Sequence, residues 1–285
     1  MDPSNSLLLL TGYSVVIMAV SLLGGWLPSI VRLTHTRTQI VTSFVAGVIL
    51  CVSLSYLLPH AMIELPGEHS AETAVWWMLV GTVLMVVLLR VFSFHQHDFS
   101  HEESGSHDHA HDQTHDHHEH GHVSVNPMSW AGITMGLGLH TMTEGVTLGT
   151  SIRAGESDGT IGLSLSVFLA IVLHKPLDGL SIIGTMRAAG FGQHQRVLAN
   201  VLFSLVCPAA TLLTFWGVGL LGQWEAYVVG AALAFAAGAL LCIALSDLLP
   251  EVHFHSHDRT KLTLAFFAGI GLAYMLHYLE PAGIH

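Results

Sequence analysis

Gly138-Leu139-His140-Thr141-Met142-Thr143-Glu144-Gly145 and Leu173-His174-Lys175-Pro176-Leu177-Asp178-Gly179 are two polar insertions in a strongly apolar chain. The apolar segments that hold them cover about 128–151 and 160–187. On a helix, residues four apart stand one above the other on the same face. His140 with Glu144, and His174 with Asp178, therefore each make a one-sided pair of nitrogen and oxygen ligands. Two such helices facing each other offer two imidazoles and two carboxylates to one cation, a set that suits zinc and the neighbouring divalent transition metals. The four residues and Lys175 lie near the middle of segments long enough to cross a bilayer. An ionisable group there costs about 2.5–3.5 kcal/mol on insertion scales and is a functional candidate by default. The bland alternative is a polar residue gluing two helices together. It suits one histidine better than four ligand-type residues in matched pairs.

The rest of the chain agrees with a membrane protein. Of 285 residues, 51% are hydrophobic and only 10% charged, and the mean hydropathy is +0.58. A soluble chain is usually about a quarter charged. Apolar windows fall near 6–31, 39–63, 71–93, 128–151, 160–186, 196–221, 226–252 and 262–280, which predicts an all-α polytopic membrane protein of eight transmembrane helices. The first window lacks a basic leading region and a clear cleavage site, so it reads as a retained helix. Cys51, Cys207 and Cys242 all fall inside spans without paired spacing and read as small packing residues.

The few basic residues set the orientation. Arg32 and Arg37, Arg90, Arg187 and Arg196, and Arg259 and Lys261 fall on one side when the loops alternate; Arg153 falls on the other. The positive-inside rule puts the first group in the cytoplasm and both termini outside. The acidic positions Glu64, Glu68, Glu72, Glu156 and Asp158 then face out. The net charge of -11 gives no sign of nucleic-acid binding.

His95 to His122 departs from the pattern: HQHDFSHEESGSHDHAHDQTHDHHEHGH cannot bury enough surface to fold. It reads as a disordered cytoplasmic linker whose histidines bind divalent metal weakly, or as a plain hydrophilic spacer. The organisation is thus one membrane domain, with helices one to three in 1–94, the His-rich loop in 95–127 and helices four to eight in 128–285. There is also an internal echo. Span two ends Ser55-Tyr56-Leu57-Leu58-Pro59-His60 and span seven ends Ser246-Asp247-Leu248-Leu249-Pro250-Glu251. The same motif in oppositely directed helices suggests that spans one to three and six to eight are inverted repeats around the fourth and fifth.

Further ligand-type residues extend a pathway. His60 and Glu64, four apart at the outer end of span two, are a candidate admission pair or else a surface pair at the interface. Asp247, Glu251, His253, His255, His257 and Asp258 lie at the inner end of span seven and are candidates for metal release, or a solvated helix end. Within the central pair, Pro176 cannot donate a backbone hydrogen bond, which frees a carbonyl near Val172 and predicts a break in the helix between His174 and Asp178. Gly136, Gly138, Gly145 and Gly179 let the helices approach closely.

Over essentially its full length the chain resembles the ZIP (Zrt/Irt-like) family of divalent metal transporters. The resemblance rests on eight spans, a His-rich loop after the third, His-x-x-x-Glu-Gly in the fourth and the His-Lys-Pro stretch of the fifth. It implies an inverted-repeat bundle that takes up zinc, or cadmium, iron or manganese, toward the cytoplasm. It further implies that His140, Glu144, His174 and Asp178 are the primary metal site and that spans one, four, five and six move against the rest in alternating access. Many members hold a second metal beside the first. Thr141, Lys175 and Cys207 stand where its ligands would be, so a single site is expected, with the Lys175 ammonium in place of the second cation. The closest likeness is to the branch with one metal site and His-Lys in span five.

Two other functions compete. An intramembrane zinc hydrolase would use the same ligands to activate water, but no HExxH or GxSxG stretch is present. A metal exporter or sensor fits the His-rich loop equally well. No P-loop is present for direct ATP use. Lipid and divalent metal are the expected partners, and small-residue faces also suit a homodimer. Short loops and the lack of an Asn-x-Ser/Thr sequon lean to a bacterial cell membrane, with an internal membrane the alternative in a eukaryotic cell.

Overall fold

In a computed structural model, the described residues are 3–30, 35–92, 127–159, 161–245 and 259–277, and among them there is no strand. The helices are α1 (Pro3–Ile30), α2 (His35–Val52), α3 (Leu58–Glu64), α4 (Ser70–Phe92), α5 (Pro127–Asp158), α6 (Gly162–Ala188), α7 (Gln193–Gly219), α8 (Glu225–Ile243) and α9 (Arg259–His277). A π-helical turn, Ser53–Leu57, joins α2 to α3, so the two form one rod. The His-rich loop lies outside the described residues.

Among the described residues, six rods are long and apolar enough to cross a bilayer: α1, α2–α3, α4, α6, α7 and α8. Helix α5 is not among them, because it carries His140, Thr141, Thr143, Glu144, Thr147, Thr150 and Ser151 through its middle. Large apolar side chains such as Leu8, Trp76, Leu213 and Phe267 point away from the protein. Lipid accepts that surface, and continuous helices leave few backbone groups unpaired. Two expectations about loops change. Arg153, Glu156 and Asp158 belong to the last turns of α5, not to a loop. Arg187 likewise ends α6 and Arg196 begins α7.

Between helices in lipid there is little hydrophobic drive, so association depends on close packing of small residues and on interhelical hydrogen bonds. Four crossings show the close packing. A Cβ on Gly47 would overlap the Phe266 carbonyl, and one on Gly269 the Phe44 carbonyl; this is the crossing of α2 with α9. Gly81 meets the Phe235 carbonyl and Gly238 the Met78 carbonyl at the crossing of α4 with α8. Gly145 of α5 sits on the Cys207 carbonyl and Thr211 amide of α7, and Gly179 of α6 on the Ser21 carbonyl and Gly25 amide of α1. Hydroxyls add to these, with Ser43 Oγ donating to the Leu262 carbonyl (2.7 Å) and Tyr56 Oη to the Ala273 carbonyl (2.7 Å).

These contacts reveal the symmetry. Exchanging α1 to α4 with α7 to α9, and α5 with α6, turns the α2–α9 crossing into the α8–α4 crossing and the α5–α7 contact into the α6–α1 contact. Phe44 and Gly47 take the places of Phe235 and Gly238. The repeats are inverted, because the α2–α3 rod and α8 run in opposite directions. Ser53 Oγ donates to the Ala237 carbonyl (2.6 Å), whereas Ala61 and Leu65, further along, meet the earlier Gly230. A π-helical turn also begins at Ala244–Leu245, the counterpart of the Ser53–Leu57 turn. The echo of Ser55–His60 in Ser246–Glu251 continues the same register in the sequence, but Ser246–Glu251 lies outside the described residues.

Candidate metal centre

Helix α5 supplies His140 and Glu144, and α6 supplies His174, Lys175 and Asp178. One ligand atom from each of His140, Glu144, His174 and Asp178 lies within 4.8 Å of the others. The matched spacing of the two motifs brings the four together; the glycines do not press α5 on α6 as expected, since Gly145 seats on α7, Gly179 on α1, and a Cβ on Gly138 would meet nothing within 4 Å. Lys175 is wholly buried, Glu144 is 2% exposed and His174 4%. Asp178 is the most open of the group.

The hydrogen bonds orient the donor atoms of the cluster. His174 Nδ1 donates to the Ala170 carbonyl at 2.7 Å. A neutral imidazole with its proton on Nδ1 has only a lone pair on Nε2, which is the form that binds metal. His174 Nε2 nevertheless contacts Glu144 Oε1, and His140 Nε2 lies 3.0 Å from that same oxygen. Lone pairs that approach this closely need positive charge between them, supplied by a proton or by a metal ion. The imidazole rings are 5.8 Å apart between centroids.

The other oxygen of Glu144 is committed elsewhere. Lys175 Nζ donates to Glu144 Oε2, to Thr141 Oγ1 at 2.8 Å and to Asp178 Oδ2 at 3.4 Å. It also lies 5.0 Å from the Phe203 ring centroid, within reach of a cation–π interaction. Glu144 thus turns one oxygen to the histidines and the other to an internal cation. Phe203 carries no motif signal, and sequence reasoning does not single it out. Cys207 is fully buried nearby on α7, where its backbone carbonyl seats Gly145.

A family model for ZIP zinc transporters matches residues 7–277. The chain belongs to the ZIP zinc transporter family. Zinc transporter ZIP9-A of Xenopus laevis is 24% identical over 90% of each chain. Zinc transporter ZIP9 of Micropogonias undulatus is 26% identical over 90% of this chain and 88% of its own. Zinc transporter ZIP9 of Macaca fascicularis is 31% identical over 44% of this chain and 55% of its own. Membership makes the ZIP chain a multi-pass membrane transporter and not an enzyme, which sets the hydrolase reading aside.

Other predicted residues of the ZIP chain stand apart from the cluster. His60 is buried, its Nδ1 donates to the Tyr56 carbonyl at 2.8 Å, and its Nε2 has no hydrogen-bond partner among the described residues. Glu64 is half-buried one turn further on. Both ride on α3, which packs against α8 and α4, so neither joins the metal-ligand group. Asp247, Glu251, His253, His255, His257 and Asp258 lie outside the described residues. Pro176 does not break its helix: α6 runs uninterrupted from Gly162 to Ala188. The missing N–H removes one backbone bond, but the Pro176 backbone is packed on Gly24 of α1, which supports the helix at that point.

Proposed function

We propose that the ZIP chain carries zinc across the membrane, toward the cytoplasm, through one site made by His140, Glu144, His174 and Asp178. The observation that carries this reading is the convergence of two imidazole Nε2 atoms on one carboxylate oxygen, with His174 held in its metal-binding tautomer by Ala170. An arriving zinc ion would shed water onto these ligands and supply the positive charge that their converging lone pairs need. Two imidazoles and two carboxylates also suit cadmium, with iron and manganese less well matched in softness.

Lys175 supports a single-metal reading. Its ammonium stands beside both carboxylates, where a second cation would otherwise be needed, and leaves one net negative charge to face the incoming ion. At about 4 Å and an effective dielectric near 20, a contact of this kind contributes on the order of 4 kcal/mol before desolvation. The carboxylates can then stay ionised after the zinc has left. Eight crossings, with α5 and α9 completing the six long apolar rods, put both termini outside and the basic helix ends in the cytoplasm.

Zinc binding to the purified chain tests the site directly. The expected result is one zinc per chain, lost in Glu144→Gln, together with zinc uptake into cells that follows the external concentration. Two zinc ions per chain would overturn the single-site reading, and a net outward flux would overturn the direction.

A further inference from the structure

Arg153 lies near the end of α5 opposite the basic helix ends and outside the metal centre. Its Nε donates to Glu225 Oε1 at 2.7 Å and its Nη1 to Glu156 Oε2 at 2.5 Å. The guanidinium also lies 5.3 Å from the Phe215 ring centroid, and Gly219 leaves it room, since a Cβ there would run into it. Helix packing divides the chain into two groups. Helices α1, α5, α6 and α7 pack mainly on one another, and so do α2–α3, α4, α8 and α9. Glu156, Phe215 and Gly219 belong to the same group as Arg153. Glu225, the first residue of α8, belongs to the other.

Below this ion pair, the α5–α8 seam holds a small cavity that reaches Glu144, lined by Thr143, Thr147, Val167, Ala239 and Ile243. The groups are joined at the same end by a short turn, Gly222–Trp224, that opens on a left-handed Gly222 (φ 54°). A pivot there moves Glu225 relative to Arg153. The partners of Arg153 suit separation. Glu156 and Phe215 stay with it when Glu225 departs, so the guanidinium is never left unpaired. With Arg153 23% and Glu225 34% exposed, the pair is open to salt and weak enough to break repeatedly.

We propose that Arg153–Glu225 is a latch that holds the α5–α8 seam closed over the metal centre and must open for zinc to reach Glu144 from outside. This inference rests on the transport reading above. The test uses the full chain with Val167→Cys in sealed vesicles of either orientation, probed with a membrane-impermeant maleimide, with the labelling of the buried native cysteines in the Val167 chain subtracted. In Glu225→Gln the Val167→Cys thiol is expected to react about two- to five-fold faster, the range that loss of an exposed pair allows. Glu225→Asp should restore most of the slow rate. Raising salt from roughly 0.02 to 0.5 M should speed labelling with Glu225 present and do nothing further in Glu225→Gln. The salt arm needs no substitution at the pair, so it stands even where Glu225→Gln fails to fold. Equal labelling rates with no salt effect would overturn the latch, including where Glu225→Gln only lowers thermal stability, as a plain brace would. Labelling from the opposite vesicle face with the same ratios would overturn the orientation and leave the latch standing.

Discussion

Lys175 and Glu144 are bonded in the apolar interior through Nζ and Oε2, and this bond leaves Glu144 Oε1 to face both His140 and His174. One carboxylate therefore separates a built-in cation from the two imidazoles. A buried charge pair is worth little as a stabiliser, because desolvation offsets most of its attraction. On the proposed reading, its value is in setting the charge that an arriving zinc ion meets.

Removing that cation should impair transport. Lys175→Ala leaves Glu144 and Asp178 without a counter-charge, so protons compete more strongly with zinc for both. Zinc uptake is expected to fall by about ten-fold or more, and the pH of half-maximal uptake to rise, in line with a lost contact of order 4 kcal/mol. Lys175→Arg should keep part of the activity. Normal uptake with an unchanged pH profile in Lys175→Ala would remove this role.

Protonation should oppose loading in the unaltered chain as well. At the proposed site, zinc ligation would use the lone pair on His174 Nε2 and on its His140 counterpart, and binding would displace any proton there. Free imidazole titrates near pH 6.5, so uptake at subsaturating zinc should decline as the external pH is lowered from about 7.5 to 5.5. Initial rates across that range check the point. A flat profile would be inconsistent with imidazole ligands.

The symmetric crossings predict matched effects on stability. Gly47→Val and Gly238→Val occupy equivalent places, and each puts a side chain into a backbone carbonyl opposite, of Phe266 or of Met78. Overpacking of this kind costs about 1–3 kcal/mol. Both variants should lower the thermal midpoint of the detergent-solubilised chain to a similar degree. Gly12→Ala, with open space around its position, should leave the midpoint unchanged or raise it. A large drop for only one of the valine variants would count against the repeat.

The main features were readable in the sequence because membranes enforce simple rules. Long apolar windows gave the helices, and His140, Glu144, His174 and Asp178 stood out as ionisable groups in apolar surroundings. The echo between Ser55–His60 and Ser246–Glu251 pointed to a repeat, and the repeat itself is seen in the glycine crossings, since Ser246–Glu251 lies outside the described residues. Lys175 was legible as a charge in the wrong place. Less was visible in the partners. Ala170, which fixes a tautomer with its backbone, and Phe203, an apolar ring beside an ammonium, carry no pattern that separates them from lipid-facing neighbours. Arg153 looked like a loop residue because α5 continues beyond its apolar stretch, held by ion pairs that window counting does not register. Pro176 read as a break because sequence alone does not show Gly24 packed against it.

The most direct test is zinc flux into vesicles containing the purified chain, measured with His174→Ala beside the unaltered protein. The account predicts saturable zinc entry with the unaltered chain and flux at the level of empty vesicles with His174→Ala. Equal flux from the two would show that zinc does not pass through the α5–α6 centre, and would contradict the account at its core.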